Sequence, residues 1–169
     1  LLAAAIRDPD PVIFFEQKSL YATKGEVPDG ELVDELGKAK VLRKGDDVTI
    51  VALAAMVPRA MAAADRLQQE DGVSATVVDV RSLVPLDTQT IFKEVEHTGR
   101  LVTVEENPRL CGWGAEISSI VAEEMFYDLD GPIIRITSPH CPIPSADDLE
   151  AQYLPTPERI VETIRREVD

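Results

Sequence analysis

The chain has 169 residues, of which 44% are hydrophobic and only 5% aromatic, so a core of aliphatic side chains is expected. Its formal net charge is −14. A surface this acidic repels phosphate backbones and anionic lipid headgroups, which argues against nucleic-acid and membrane binding. It would attract a basic protein partner, although the same charge would also serve solubility alone.

The two cysteines, Cys111 and Cys141, show neither the spacing of a zinc site nor a disulfide framework. A reducing compartment is therefore expected, either a bacterial cytoplasm or a mitochondrial matrix. No run reaches the roughly 18 apolar residues of a membrane helix, and no signal peptide is evident. The chain opens on residues 1–6, an apolar run without an initiator Met or a helix cap, which predicts a fragment of a longer polypeptide.

The first 37 residues predict the end of one domain and a linker. Residues 1–7 are typical of the end of a helix, stopped by Pro9 and Pro11. Residues 11–16 form a continuous apolar run, which predicts a strand buried on both faces. Residues 18–37 lose periodicity among glycines and charges, which predicts a linker between domains, with a C-terminal domain over residues 38–169.

Strand and helix patterns alternate from residue 48 onward. Strands are predicted over 48–53, 75–80, 101–105 and 133–137, with a short edge strand at 39–42. Helices are predicted over 57–70, 88–97, 114–127 and from Pro157 onward, with Asp87 and Thr156 as caps. The pattern predicts an α/β fold of three layers, with helices on both faces of a mostly parallel sheet of about five strands.

Each helix also has a predicted inner face. The inner residues are Val57, Met61, Ala64 and Gln68 in the first helix, Ile91, Phe92 and Val95 in the second, Ile117, Ile120, Val121 and Met125 in the third, and Ile160, Ile164 and Val168 in the last.

Function in such sheets gathers beyond the carboxyl ends of the strands, here loops 54–57, 81–87, 106–113 and 138–146. Glu105 and Glu106 end the third long strand, but adjacent strand residues point to opposite faces, so the two would not easily share a proton. The alternative is one buried carboxylate paired with Arg81 or Arg109 and one solvated carboxylate. Arg81 itself could bind an anion or pair with Asp79 or Glu105.

Two further groups follow strands at this edge. Cys111, Gly112, Trp113 and Gly114 only partly match a dinucleotide fingerprint, because Ile117 stands where the third glycine belongs. The alternative is a tight turn with close helix packing. Cys141 follows His140 and could approach Cys111 in a nucleophile or metal site, or could simply pack in a rigid loop; His97 falls at the opposite edge. None of these groups is complete, so no catalytic, cofactor-binding or metal-binding residue is assigned.

An ordered set of motifs resembles the transketolase-type C-terminal domain of β subunits of thiamine-diphosphate-dependent 2-oxoacid dehydrogenases. The resemblance covers almost the whole chain. The motifs that carry it are DPDPVIFFE at 8–16, GKAKVLRKG at 37–45, DVTIV at 47–51, DVRSLVPLD at 79–87, TGRLV at 98–102, GWGAEI at 112–117 and LEAQYLP at 149–155.

The resemblance implies an α2β2 enzyme, or its fused equivalent, that binds thiamine diphosphate and magnesium outside this chain. Residues 1–17 would then be the last helix and strand of the pyrimidine-binding domain, and the fragment would be inactive alone. The implied roles are subunit assembly, with the α subunit and a second β subunit, and docking of the basic subunit-binding domain of the lipoyl acyltransferase. The candidate contact elements are loops 106–116 and 138–146 and the last helix. The candidate interface residues are Glu105, Glu106, Arg109, Trp113, Glu116 and His140.

Alternatives remain at this point. An acetoin dehydrogenase β subunit fits residues 16–28 as well as a pyruvate one does, and branched-chain β subunits share part of that pattern. A single-chain transketolase-like or deoxyxylulose-phosphate synthase domain is the next alternative. A stand-alone binding module is the third.

Overall fold

A five-stranded sheet forms the centre of the computed structural model, which describes residues 1–168 apart from the side chain of Val168. The strands are Lys40–Arg43 (β1), Val48–Ala52 (β2), Ala75–Asp79 (β3), Leu101–Pro108 (β4) and Ile134–Ser138 (β5). Their order is β1-β3-β2-β4-β5; β1 runs antiparallel to β3, and the other neighbours are parallel. The predicted mostly parallel sheet with a short edge strand is therefore confirmed.

The helices are Leu2–Arg7 (α1), Met56–Glu70 (α2), Thr88–Thr98 (α3), Trp113–Glu124 (α4), Asp147–Tyr153 (α5) and Pro157–Val168 (α6), with 3-10 turns at Lys18–Leu20 and Phe126–Asp128. Helices α2 and α6 pack on one face of the sheet, and α3 and α4 pack on the other. None of the helices formed by residues 1–168 combines the length and apolarity that crossing a bilayer requires.

The side chains of β2 alternate between two cores, which is why every residue of this strand is buried. Ile50 and Ala52 pack in the core that α2 and α6 cover. Val51 packs in the core that α3 and α4 cover. The predicted three-layer α/β/α architecture is therefore confirmed.

Both predicted caps form. The Asp87 side chain accepts a hydrogen bond from Thr90 N at 3.2 Å at the start of α3. The Thr156 hydroxyl accepts one from Arg159 N at 3.2 Å at the start of α6. A side-chain acceptor at a helix start satisfies an N–H that has no partner within the helix.

The inner faces agree with the prediction in α6, where Ile160 and Ile164 are buried, but not fully in α2. The side chain of Val168 lies outside the described part. In α2 the fully buried residues are Met56, Ala60, Ala63, Ala64 and Leu67, whereas Gln68 is exposed. The face is rotated because α2 packs against α6 as well as the sheet, and small alanines permit that close approach.

Residues 11–16 differ most from the prediction. The apolar run at 11–16 forms no strand in the structure, and Phe15 is 89% exposed. A strand needs a neighbour for its backbone groups, and no other segment of residues 1–168 pairs with this one. The prediction of a strand at 11–16 is therefore wrong for this chain on its own.

Candidate functional site

The carboxyl edge, where β2, β3, β4 and β5 end, brings the predicted site residues to one side of the sheet. Its centre is Glu105 on β4, whose side chain is 0% exposed. Because Arg135 lies opposite Thr103 in the β4–β5 register, its side chain shares a face with Glu105, two residues further along β4.

Glu105 is fully engaged in hydrogen bonds. Its Oε1 accepts from Arg135 Nε at 2.9 Å and lies 2.8 Å from Arg135 Nη2. Its Oε2 accepts from Gly114 N at 2.9 Å and from Asn107 Nδ2 at 3.1 Å. A buried carboxylate is tolerated when it is paired and bonded in this way. Glu105 therefore joins strand β5, the end of β4 and the start of α4.

The prediction that the buried carboxylate pairs with Arg81 or Arg109 is wrong. One carboxylate of the Glu105–Glu106 pair is buried as anticipated, but its cation is Arg135 rather than Arg81 or Arg109. Arg81 pairs instead with Asp34, with Nη2 2.6 Å from Oδ2. Arg109 is exposed and offers its backbone oxygen to Arg135 Nη2 at 2.9 Å.

The glycines of the 112–114 segment make this packing possible. A Cβ added at Gly114 would overlap Glu105 Oε1 and Thr103 Oγ1, and one added at Gly112 would overlap Glu105 Oε2 and Asn107 Nδ2. The close-packing interpretation of these glycines agrees with the structure, since both positions are occupied by the chain's own side chains.

The surroundings of three further carboxylates, Asp34, Asp79 and Asp87, shift their pKa values. Burial alone would raise the pKa of Asp87, but hydrogen bonds from Thr90 and Ala39 N hold it below its ordinary value. Burial raises the pKa of Asp79, against the opposing effect of a hydrogen bond from Arg81 N. Burial would likewise raise the pKa of Asp34, yet the Arg81 guanidinium keeps it lowered.

The remaining candidates do not form a reactive group. Cys111 and Cys141 are both exposed free thiols. His140 is exposed, and His97 pairs with Asp46 at the opposite edge, as expected from the topology. Among residues 1–168, no three His, Cys, Asp or Glu side chains are placed to hold a metal ion.

The proposed interface residues lie at different depths. Arg109, Glu116 and His140 are exposed, and Glu106 and Trp113 are partly exposed. Glu105 is inside the domain, so it can act on an interface only through the loop that it holds.

Three features of the fold are not predicted by the sequence patterns. The role of Arg135 could have been suspected only because it is a charged residue within the strand β5. Helix α5 is seven residues long, too short for a periodic pattern to stand out. The predicted helix 114–127 stops at Glu124, leaving Phe126 and Tyr127 on an exposed turn with a ring-centroid distance of 5.3 Å.

Comparison with known proteins identifies the domain. Residues 37–160 match the family model for the transketolase C-terminal domain. The acetoin:2,6-dichlorophenolindophenol oxidoreductase subunit beta of Bacillus subtilis is 50% identical over 162 residues, covering 95% of this chain and 47% of the relative. The pyruvate dehydrogenase E1 component subunit beta of Leifsonia xyli is 43% identical over 166 residues, covering 98% and 49%.

A solved structure agrees with these relatives. A split-gene transketolase, described as an inactive beta4 tetramer, has a TM-score of 0.71 and 30% identity, covering 85% of this chain and 45% of that one. The chain spans about half the length of the relatives that it matches. The fold, the matched residues and these similarities together show that the chain belongs to the transketolase C-terminal domain family.

Proposed function

We propose that the chain is the C-terminal part of the β subunit of a thiamine-diphosphate-dependent 2-oxoacid dehydrogenase. Residues 1–17 complete the preceding pyrimidine-binding domain, residues 18–37 are the linker, and residues 38–169 serve assembly and docking. The intact enzyme, an α2β2 assembly, decarboxylates a 2-oxoacid and reductively acylates lipoamide. Similarity to oxidoreductase and dehydrogenase β subunits, over about half of their length, supports this assignment.

The observation that carries the assembly role is the state of the polar groups at the carboxyl edge. Glu105, Asp87 and Arg81 are each bonded within the chain, which leaves none of them free to act on a substrate. Outside these groups, the loop exposes Leu110 and Arg109 to solvent. Exposed apolar side chains beside charges are typical of protein contacts.

Two surfaces are available to different partners. The loop surface, comprising Arg109, Leu110 and Glu116 at the carboxyl edge, serves contact with the second β subunit. The aromatic surface lies at the opposite edge, because α4 runs back across the sheet. It consists of Glu123, Glu124, Phe126, Tyr127 and Asp128, all exposed.

The aromatic surface suits the basic subunit-binding domain of the lipoyl acyltransferase. Tyr127 is 96% exposed, and its neighbours Glu124 and Asp128 carry negative charge. Aromatic side chains supply contact area, while the carboxylates attract a basic partner and raise its association rate. This surface was not among the contact elements expected from fold position, which were loops 106–116 and 138–146 and α6.

Activity assays test the division of labour. The full-length β subunit co-expressed with its α subunit should decarboxylate a 2-oxoacid with thiamine diphosphate. The 169-residue chain mixed with the same α subunit should give no turnover. Cofactor-dependent turnover by that mixture would contradict the assembly role.

Charge reversal tests the docking surface. We expect Glu124→Lys to lower the association rate with the basic domain several-fold, and Glu96→Lys on the exposed face of α3 to have a smaller effect. The wild-type rate should fall as salt rises, because exposed charges are screened beyond about 8 Å at physiological ionic strength. Equal effects of the two substitutions, or a rate indifferent to salt, would remove the aromatic surface from the proposal.

An acetoin dehydrogenase β subunit is the second candidate, favoured by the 50% identity to the Bacillus subtilis acetoin oxidoreductase subunit. The same full-length assembly, assayed with acetoin and with pyruvate using 2,6-dichlorophenolindophenol as acceptor, separates the two. Turnover of acetoin alone would select this candidate.

A further inference from the structure

The buried carboxylate of Glu105 controls the shape of the loop surface. Through Gly114 N and Asn107 Nδ2 it holds both ends of the segment between β4 and α4. Through Arg135 it also reaches the middle, since Arg135 Nη2 donates to the backbone oxygen of Arg109 at 2.9 Å. One ion pair therefore fixes the start, middle and end of residues 107–114.

The loop has little freedom to adopt another shape around that ion pair. The Arg135 side chain is only 11% exposed, and Gly112 is buried against Glu105 and Asn107. Cys111 adopts a left-handed backbone with φ 57°, which a non-glycine residue keeps only where its surroundings enforce it. Hydrogen bonds from Gly114 N to Glu105 and from Arg135 to the Arg109 oxygen lie on either side of Cys111 in the chain.

The outer side of the same loop is suited to a second copy of the chain. Leu110 is exposed and apolar, Arg109 is an exposed cation on a chain of net charge −14, and Glu116 is an exposed anion in the first turn of α4. In a two-fold contact, Arg109 of each copy can face Glu116 of the other, so the charges complement each other twice.

We propose that Glu105 is a positioning residue for assembly, whose ion pair with Arg135 holds residues 106–112 in the conformation that presents Arg109 and Leu110 to a second β subunit. This inference rests on the proposed role of the loop surface in β–β contact. Because Glu105 is fully buried, it acts through the loop.

The test uses the full-length β subunit, with self-association measured by sedimentation velocity and loop protection by hydrogen exchange. Glu105→Gln/Arg135→Met removes both charges together, so no uncompensated charge is left buried. We expect this variant to keep a cooperative thermal transition, to exchange faster at 106–112, and to self-associate at least tenfold more weakly. The control Glu96→Gln, on the exposed face of α3, should associate within twofold of wild type.

A second variant covers the case in which the double variant does not fold. Arg135→Lys keeps a cation beside Glu105, but a lysine amine lacks the planar fork that bonds Glu105 and the Arg109 oxygen at once. We expect unchanged thermal stability within a few degrees and three- to tenfold weaker association. A folded Arg135→Lys or double variant that associates like wild type would overturn the positioning role.

Substitutions on the outer side separate this inference from the proposed contact. Leu110→Ala and Arg109→Glu should weaken association without changing loop exchange, and Arg109→Glu/Glu116→Arg should restore it. If neither single substitution weakens association, the proposed β–β contact itself is wrong. If they weaken it and the Glu105–Arg135 variants do not, the contact stands and the positioning role fails.

Discussion

Residues 12–15 and residues 48–52 are apolar runs of similar make-up with opposite surroundings. Every residue of β2 is buried, because β3 and β4 pair with its two edges and helices cover its two faces. Residues 12–15 lie beside no strand of the described chain, and Phe15 is 89% exposed. An apolar run therefore forms a strand only where other strands pair with it, and residues 12–15 have no such partner among the described residues.

The largest expected effect on the free energy of unfolding is at Ile50 in β2, compared with Phe15 in the exposed run. Ile50→Ala should lower the free energy of unfolding of the chain by about 2–5 kcal/mol, because it leaves a cavity between β2 and α2. Phe15→Ala should change it by less than about 0.5 kcal/mol, since the ring has little packing to lose. Urea unfolding of the chain measures both.

The same pair of substitutions in the full-length β subunit extends the test. We propose that the preceding domain covers Phe15 there, so we expect Phe15→Ala to cost about 3 kcal/mol, as for a buried phenylalanine. Equal costs of Phe15→Ala in the chain and in the full-length subunit would contradict burial of Phe15 by the preceding domain.

Next in size is the effect of filling the tight space at the carboxyl edge. Gly114→Ala should destabilise the chain by about 1–3 kcal/mol, because its Cβ would meet the Glu105 carboxylate and Thr103. Gly131 has open space within 4 Å, so Gly131→Ala is the control and should stay within about 0.5 kcal/mol. Equal thermal shifts for the two would show that this edge is not packed as tightly as β2.

A smaller effect is expected at Asp87, which links the residue before β1 to the start of α3. Asp87 caps α3 and also accepts a hydrogen bond from Ala39 N at 3.1 Å. Asp87→Ala should cost about 1–2 kcal/mol, whereas Asp87→Asn, a good capping residue, should cost less. Chemical denaturation ranks the two, and a larger loss for Asn than for Ala would contradict the capping role.

The smallest effect concerns the Asp34–Arg81 pair, which ties the linker to the loop after β3. Because the folded-state pKa of Asp34 is lowered, its contribution is present above the unfolded value of about 3.9 and is lost as pH falls through the lower folded value. The side chain is 38% exposed, so the contribution is at most about 0.5 kcal/mol.

The measurement is the difference in unfolding free energy between wild type and Asp34→Asn at several pH values. We expect a small difference at pH 7 that shrinks as pH falls below about 4 and through the lowered folded pKa of Asp34. A difference independent of pH would show that Arg81 does not stabilise the ionised carboxylate.

The architecture could be predicted because the sequence pattern that identifies each strand or helix lies within that element. The apolar run of β2, the stripe Ile160 and Ile164, and the caps Asp87 and Thr156 each identify an element without knowledge of the rest. The parallel topology then places the strand ends at one edge, which located the Glu105 region correctly.

The details of the site could not be predicted because they depend on register and on distant neighbours. Arg81, Arg109 and Arg135 are equally plausible partners for Glu105 by residue type. Only the alignment of Thr103 with Arg135 selects among them, and strand register is not readable from these sequences alone. The prediction of which α2 residues are buried was partly wrong for the same reason, because the packing of α6 against α2 is a long-range contact.

The short antiparallel strand β1 has a consequence for handling the molecule. It forms one edge of the sheet, has four residues, changes register between Val41 and Arg43, and carries an exposed Lys40. Short, charged and irregular edges discourage another molecule from adding a strand there. Concentrated preparations should therefore resist amyloid-like stacking through this edge.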